Sequence, residues 1–269
     1  MSARAGVPST TVGGVGTGST FGLKVWALRL AALGALVGIW LYLIGPGDVS
    51  PLILPEPTRV LEATRDLLGT SELYDAIRVT MYEILVSLLI AAVGGFLIGF
   101  WGARSDRRSR VLEPLLVWGY LVPHILFYPL LVLWLGTGIP SKIAYSASSA
   151  ILPIAFNCLR AFRQVDRKYV NVGRAFGASP LQLDWLIKLR AGIPMAAAGL
   201  RLGAALSMIT VIVAEMLSAS EGLGYLLKLY SQSFSTARSF SITLIILGVV
   251  GIFLFVIDRI VPDQARSSR

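Results

Sequence analysis

Three kinds of residue are scarce in this 269-residue chain: cysteine, histidine and charged residues. Its one cysteine, Cys158, excludes an internal disulfide and any metal site built from several cysteines. Its one histidine, His124, leaves no second imidazole for a Ser-His-Asp triad or a histidine-based metal site, and neither HExxH nor GxSxG occurs. We therefore predict that the chain is not an enzyme, with no catalytic residue, no metal site and no bound cofactor.

Charged residues make up only 14% of the chain, whereas 55% is hydrophobic and the mean hydropathy is +0.72. Soluble domains are about a quarter charged, so this composition indicates an integral membrane protein. A hydrocarbon core of about 30 Å requires roughly 20 consecutive apolar residues in each helix that crosses it. The sequence predicts an all-α protein with six such spans, at about 23–44, 80–103, 113–136, 141–160, 195–218 and 239–261.

The basic residues behind the net charge of +9 are distributed unevenly between the loops on the two sides of the membrane. With the N-terminus in the cytoplasm, seventeen of the 24 lysines and arginines fall on the inside. Six fall outside, namely Arg59, Arg65, Arg78, Lys142, Lys228 and Arg238. Membrane proteins show this positive-inside bias, which predicts that both termini are cytoplasmic. It also accounts for the basicity without a nucleic-acid partner.

The chain divides into three parts by composition. Residues 1–20 are rich in Gly, Ser and Thr and lack apolar periodicity, which predicts a disordered leader. Residues 21–261 form the predicted transmembrane domain, and residues 262–269 a cytoplasmic tail. On the outside, a short helix is expected near Thr58, and Ser220 is expected to cap another between the last two spans.

Glycines at GxxxG spacing occur twice, as Gly95/Gly99 and Gly199/Gly203. Small residues at this spacing let helix backbones approach closely in a membrane. Packing within one subunit is the favoured interpretation, and a dimer interface is the alternative.

The cytoplasmic segment 161–194 (the hairpin) is a long, basic stretch between the fourth and fifth predicted spans. Its first half carries apolar residues at helical spacing, Val165, Tyr169, Val172 and Phe176. Gly177 is suited to the left-handed position that ends a helix, and Ser179-Pro180-Leu181-Gln182 reads as a capping box. We expect two short amphipathic helices meeting at Gly177. Composition alone favours a connector that rests on lipid headgroups.

Ionisable residues are costly inside membrane spans, and three of those in the predicted spans are functional candidates: Glu83, His124 and Glu215. His124 stands between Pro123 and Pro129, which should interrupt the helix, and irregular backbone at membrane depth is tolerated where it lines a cavity. Contact with a substrate and simple hydrogen bonding between helices both remain open. For Glu83 the structural alternative to a functional role is an ion pair with an arginine, such as Arg78.

The hairpin resembles the EAA loop of permease subunits of ATP-binding-cassette (ABC) importers, the binding-protein-dependent transport permease family. That motif reads Glu-Ala-Ala, three residues, Gly, nine residues, Ile-x-Leu-Pro, and here Gly177 precedes Ile187-Lys188-Leu189 at this distance. The resemblance covers about 52–258 and is nearest to the nitrate, sulfonate and taurine branch. Four stretches carry it: LILPEPTRV (52–60), RAFGASPLQL (174–183), AGLRLG (198–203) and AEMLSASEGLGYLL (214–227).

The resemblance implies a type I (MetI-like) fold of six transmembrane helices, in which the hairpin is a cytoplasmic coupling helix. It implies that eight residues contact the ATPase: Asn171, Arg174, Ala175, Phe176, Gly177, Ala178, Ser179 and Gln182. The sequence departs from the motif at its ends, since Asn171-Val172-Gly173 replaces Glu-Ala-Ala and Arg190 replaces the proline. Glu83 is a further departure, because relatives usually carry arginine there.

The implied partners are two ATPase subunits, which bind ATP and Mg²⁺, and a second permease copy in a homodimer or heterodimer. An extracytoplasmic solute-binding protein delivers the substrate, and the complex lies in the bacterial cytoplasmic membrane. The substrate implied by the branch is a small anion such as a sulfonate, taurine, nitrate or an organic or aromatic acid.

Relatives have a proline-rich apolar stretch that faces the translocation path. This makes His124, Phe127 and Tyr128 candidates for that path, and Glu83 and Glu215, as ionisable residues inside spans, are the other two candidates. For Glu215, which falls in the AEM motif, a structural role is the favoured interpretation. An ion-coupled secondary transporter is the alternative function, since it also uses interrupted helices and buried acids.

Overall fold

The computed structural model describes residues 20–45, 49–50 and 52–261, and this part of the chain is helical, without a β-strand. The prediction of an all-α protein is confirmed. The predicted tail and all but Thr20 of the predicted leader lie outside the described residues. The chain separates into two compact units, Met1–Glu56 and Pro57–Arg269.

The described part of the first unit is dominated by one apolar helix, α1 (Thr20–Ile44). In the second unit the helices are, in order, α2 (Pro57–Leu68), α3 (Ser71–Ala103), α4 (Asp106–Leu121), a 3₁₀ turn (His124–Phe127), α5 (Tyr128–Leu135), α6 (Ile139–Arg163), α7 (Arg167–Ala175), α8 (Pro180–Gln182), a π-helical turn (Leu183–Lys188), α9 (Leu189–Ser218), α10 (Leu223–Gln232) and α11 (Thr236–Ile260).

Close packing of α6 between α3 and α9 forms the centre of the second unit. A Cβ atom at Gly99 of α3 would lie 2.6 Å from the Ala155 carbonyl oxygen and 2.9 Å from the Leu159 nitrogen of α6. A Cβ atom at Gly203 of α9 would lie 2.6 Å from Cγ1 of Ile154. Both GxxxG pairs therefore face α6 in the same subunit, which confirms the favoured interpretation.

Among the described residues, fewer than six helices are long and apolar enough to count as membrane spans. Four helical runs are long and apolar enough to cross a membrane, and a fifth is obtained if α4 and the segment His124–Leu135 count as one span bent by 79°. The remaining predicted span, 141–160, lies within α6 but is too polar to meet the same test, since it carries Lys142 and several serines. Neighbouring helices cover much of this polar surface, because α6 packs against α3, α4, α5 and α9.

The prediction of a separate second short helix in the hairpin is wrong. The chain is helical without a break from Pro180 to Ser218, through the π-helical turn, so the hairpin's second arm and the fifth predicted span are one run of 39 residues. Pro194 lies inside α9 and does not end it. The local start signal at Ser179 is thus the start of a membrane helix.

Two expectations for the loops at the end of the bundle away from the hairpin have different outcomes. The short helix near Thr58 is present as α2. Ser220 does not cap α10, which begins at Leu223 after Gly222 with a φ of +103°.

Pro123 does separate α4 from the next turn, whereas Pro129 lies in the first turn of α5 and does not interrupt it.

Candidate functional site

The turn of the hairpin is a complete Schellman motif at the end of α7. Gly177 has a φ of +77°, a region in which only glycine avoids a steric penalty. Its N–H donates to the carbonyl of Arg174 at 2.9 Å, and the N–H of Ala178 donates to the carbonyl of Gly173 at 3.0 Å. These two bonds satisfy carbonyls that the helix end leaves open. The predicted left-handed glycine is confirmed.

Side-chain caps fix the two helix starts of the hairpin. The N–H of Ser179 donates to Oε1 of Gln182 at 2.8 Å, and the N–H of Gln182 donates to Oγ of Ser179 at 3.3 Å, which confirms the predicted capping box. At the start of α7, Asp166 accepts the N–H of Lys168 at 2.9 Å. That bond, with the nearby ammonium group of Lys168, lowers the pKa of Asp166. Such ends resist fraying, so the turn is rigid.

The hairpin is attached to the bundle through Asp184, in the π-helical turn. Its carboxylate accepts hydrogen bonds from Nε of Arg104, at the end of α3, and from Nζ of Lys188, both at 2.8 Å. Gly173 is buried and closely packed, because a Cβ atom there would lie 2.7 Å from Cδ2 of Leu183. These contacts connect the hairpin to the end of α3 and, through the π-helical turn, to α9.

The tip of the hairpin is exposed. Phe176 leaves 88% of its surface uncovered, and Tyr169 and Val172, on the same side of α7, leave more than half. Apolar side chains in such a row are costly in water and mark a contact surface. Of the eight predicted coupling residues Ala178 is half-buried, and the others are exposed: Asn171, Arg174, Ala175, Phe176, Gly177, Ser179 and Gln182.

A second group of polar residues, the ionic cluster (Thr80, Glu83, Lys142 and Glu215), is buried near the other end of the bundle. Glu83 of α3 forms an ion pair with Lys142 of α6, and each side chain is at most 1% exposed. The hydroxyl of Thr80 donates to Oε1 of Glu215 at 2.7 Å. The structural alternative of an ion pair is present at Glu83, but its partner is Lys142 and not Arg78, which forms an exposed pair with Asp75.

The ionic cluster holds the loop that leads into α10. The N–H of Gly224 donates to Oε2 of Glu215 at 2.7 Å, and the N–H of Leu223 donates to Oγ1 of Thr80 at 2.9 Å. The residues at Gly222 and Gly224 must be small, because a Cβ atom at either would collide with the Glu215 side chain. Glu215 thus links α9, α3 and α10 by hydrogen bonds, so removing its carboxylate would leave two buried donors unsatisfied.

The predicted translocation-path residues fall into two sets. Phe127 is 48% exposed and His124 is half-buried in the 3₁₀ turn. Tyr128 is only 2% exposed, and its hydroxyl contacts Ser218 and donates to the Ala214 carbonyl at 3.1 Å. Glu83 and Glu215 have no exposed surface.

Sequence reasoning missed Lys142 and Arg104. Lys142 was assigned to an outside loop, although it lies within the predicted span 141–160, and a cation inside a span signals a buried partner. The bond between Arg104 and Asp184 joins positions 80 residues apart, and no local pattern indicates it. Among the described residues, no three His, Cys, Asp or Glu side chains come together as metal ligands.

The long apolar helices and the buried ion pair are features of a helical integral membrane protein. A family model for the "binding-protein-dependent transport system inner membrane component" matches residues 95–266. The chain belongs to this family and is a multi-pass permease subunit of an ABC importer.

Two relatives and one solved structure show the extent of the similarity. The putative aliphatic sulfonates transport permease protein SsuC of Bacillus subtilis is 30% identical over 84% of this chain and 82% of its own. The taurine transport system permease protein TauC of Escherichia coli is 26% identical over 86% and 84%. A bacterial alginate ABC transporter, solved with an alginate-bound periplasmic protein, shares the fold with a TM-score of 0.59 at 14% identity, over 89% of this chain and 96% of that one.

Proposed function

We propose that the importer containing this permease takes up a small anion, with sulfonates such as taurine as the first candidates. The observation that carries this proposal is the similarity to two sulfonate-type permeases over more than four fifths of the chain. Family membership leaves no support for the alternative of an ion-coupled secondary transporter.

For the assembly, we propose two permease copies, two ATPase subunits that bind ATP and Mg²⁺, and a solute-binding protein on the outside. The family description names a binding protein, and the similar alginate transporter was solved with one. Each permease copy would cross the bacterial cytoplasmic membrane six times, with α1, α3, the bent pair α4 and α5, α6, α9 and α11 as spans. The positive-inside bias supports cytoplasmic termini and a cytoplasmic hairpin.

The hairpin is the proposed contact with the ATPase, and its exposed apolar tip and stiff turn support this role. Closure of the ATPase dimer on ATP would displace Phe176 and the turn at Gly177. The bond between Asp184 and Arg104 would pass the movement to α3, and the continuous run Pro180–Ser218 would carry it across the membrane. Hydrolysis would return the bundle to its inward-open state.

Within the translocation path, we propose His124 and Phe127 as lining residues, since both reach the surface of the bundle. Tyr128, Glu83 and Glu215 are buried between helices, so their proposed part is to hold the wall of the path in position. His124 and Phe127 lie in the 3₁₀ turn, where backbone that leaves the α-helix is compatible with a cavity.

Uptake of taurine into proteoliposomes tests the proposal. The permease is reconstituted with its cognate ATPase and binding protein in vesicles that enclose ATP. The permease is oriented as in the cell, with its outer surface facing outward. We expect accumulation of labelled taurine that requires ATP and persists when protonophores and sodium ionophores remove ion gradients. Uptake that follows an ion gradient without ATP would contradict the proposal. A matched carboxylate, β-alanine, shows whether the sulfonate group is selected.

A further inference from the structure

A cavity of about 480 Å³ lies between the hairpin and the adjoining ends of α3 and α6. Five cationic side chains are among its lining residues: Arg104, Arg163, Arg167, Arg174 and Lys188. Asn171 lies on the same wall, one helical turn from both Arg167 and Arg174. Asp106 is the one carboxylate in the lining formed by the described residues. The cavity is therefore strongly positive.

Neighbouring acids neutralise only part of this charge. Arg104 and Lys188 share the carboxylate of Asp184. Arg163 donates to the Ser109 hydroxyl at 2.7 Å and to Asp106 at 3.2 Å, and it lies 3.9 Å from Glu113. Within the part of the chain that the structure describes, neither Arg167 nor Arg174 contacts a carboxylate. Both are guanidinium groups, which stay charged at any physiological pH.

This cationic face lies on the opposite side of α7 from the exposed apolar tip, although Asn171 and Arg174 also belong to the eight predicted coupling residues. Arg167, Asn171 and Arg174 follow one another at spacings of four and three, so they lie on one side of α7. Tyr169, Val172 and Phe176 form the exposed apolar side. The cationic side faces the cavity and the bundle, whereas the apolar side is free for a partner. A ligand of the cavity would therefore bind on the other side of α7 from a protein that contacts the apolar tip.

We propose that this cavity binds a tetrahedral oxyanion, a phosphate or a sulfonate group. Planar guanidinium groups give paired, charge-assisted hydrogen bonds to such oxygens, and the Asn171 amide supplies a further donor. A bound oxyanion connects Arg167 and Arg174 of α7 to Arg104 of α3 and Arg163 of α6, which restrains the hairpin against the bundle. Free phosphate, a sulfonate in the cytoplasm and a lipid headgroup share this chemistry. The proposal does not depend on the proposed substrate.

Calorimetric titration of the full-length chain in dodecyl maltoside, a detergent without phosphate, tests the proposal. Inorganic phosphate and methanesulfonate are the probes, at constant ionic strength set with chloride. We expect saturable binding of both, weakened at least tenfold in the double variant Arg167→Gln/Arg174→Gln. The matched control is Arg107→Gln, an exposed arginine near the same end of the bundle that does not line the cavity. Its dissociation constants should stay within twofold of the original.

The same titration in nanodiscs then shows whether the oxyanion in the cavity is a lipid headgroup or a soluble anion. Loss of phosphate binding in discs that contain phosphatidylglycerol, restored in detergent, identifies a lipid headgroup as the occupant. Binding that persists in those discs identifies a soluble anion. The proposal is overturned if neither probe binds in detergent, or if the double variant and the control bind alike. It is also overturned if the bound ATPase abolishes binding, since this face of α7 is then part of the ATPase contact.

Discussion

Gly177→Val is expected to lower the stimulated ATP hydrolysis of the assembled transporter at least tenfold, while the permease still inserts and assembles. A β-branched residue cannot adopt a φ of +77° without strain, and such strain costs about 1–3 kcal/mol. No atom lies within 4 Å of a Cβ built at this position, so the cause is the backbone and not a collision inside the permease. Relaxing the turn breaks the two hydrogen bonds of the Schellman motif and moves Phe176.

Gly177→Asn is the matched control for this prediction. Asparagine tolerates the left-handed region far better than valine, so the turn should persist and most of the stimulated hydrolysis with it. Hydrolysis is measured in nanodiscs with the cognate ATPase and the loaded binding protein. Full stimulation with Gly177→Val would show that the geometry of this turn does not matter for coupling.

Lys142→Met is expected to destabilise the permease by about 3–5 kcal/mol, because it leaves the Glu83 carboxylate buried without its cation. Glu83 has no exposed surface, so water cannot replace the lost partner unless α3 and α6 separate. Those two helices pack closely against each other at Gly95 and Gly99. The free energy of unfolding is measured by denaturant titration of the purified permease in detergent micelles.

Two further variants separate a lost ion pair from general damage. The double variant Glu83→Gln/Lys142→Met removes both charges and should recover most of the lost stability. Arg78→Ala breaks the exposed pair with Asp75, whose side chains are 83% and 67% exposed, and should change the stability by less than about 1 kcal/mol. An effect of Lys142→Met as small as that of Arg78→Ala would contradict the burial of this pair.

The turn of the hairpin could be predicted from the sequence because its determinants are local. A left-handed glycine and a capping box need only neighbouring residues, and both are present as expected at Gly177 and Ser179. The membrane character of the chain, its all-α class and its family were predictable for a similar reason, since apolar runs and short motifs are read along the chain.

Features that depend on tertiary packing were not predictable. The partner of Glu83 is Lys142, 59 positions away, and only the packing of α3 on α6 brings the two together. The same holds for Asp184, whose bond to Arg104 depends on how the hairpin folds back on α3. A short helix after Gly177 and a separate span beginning at 195 were predicted, whereas the chain is helical without a break from Pro180 to Ser218, where α9 packs against α6.

Photo-crosslinking from position 176 in intact cells tests the central claim, that the tip of the hairpin contacts the ATPase. A photoreactive residue replaces Phe176, which is 88% exposed at the tip, and in a second strain it replaces Leu61, which is 72% exposed on α2 at the opposite end of the bundle. We predict a crosslink to the ATPase subunit from position 176 and none from position 61. A crosslink to the ATPase from position 61 but not from position 176 would contradict the account.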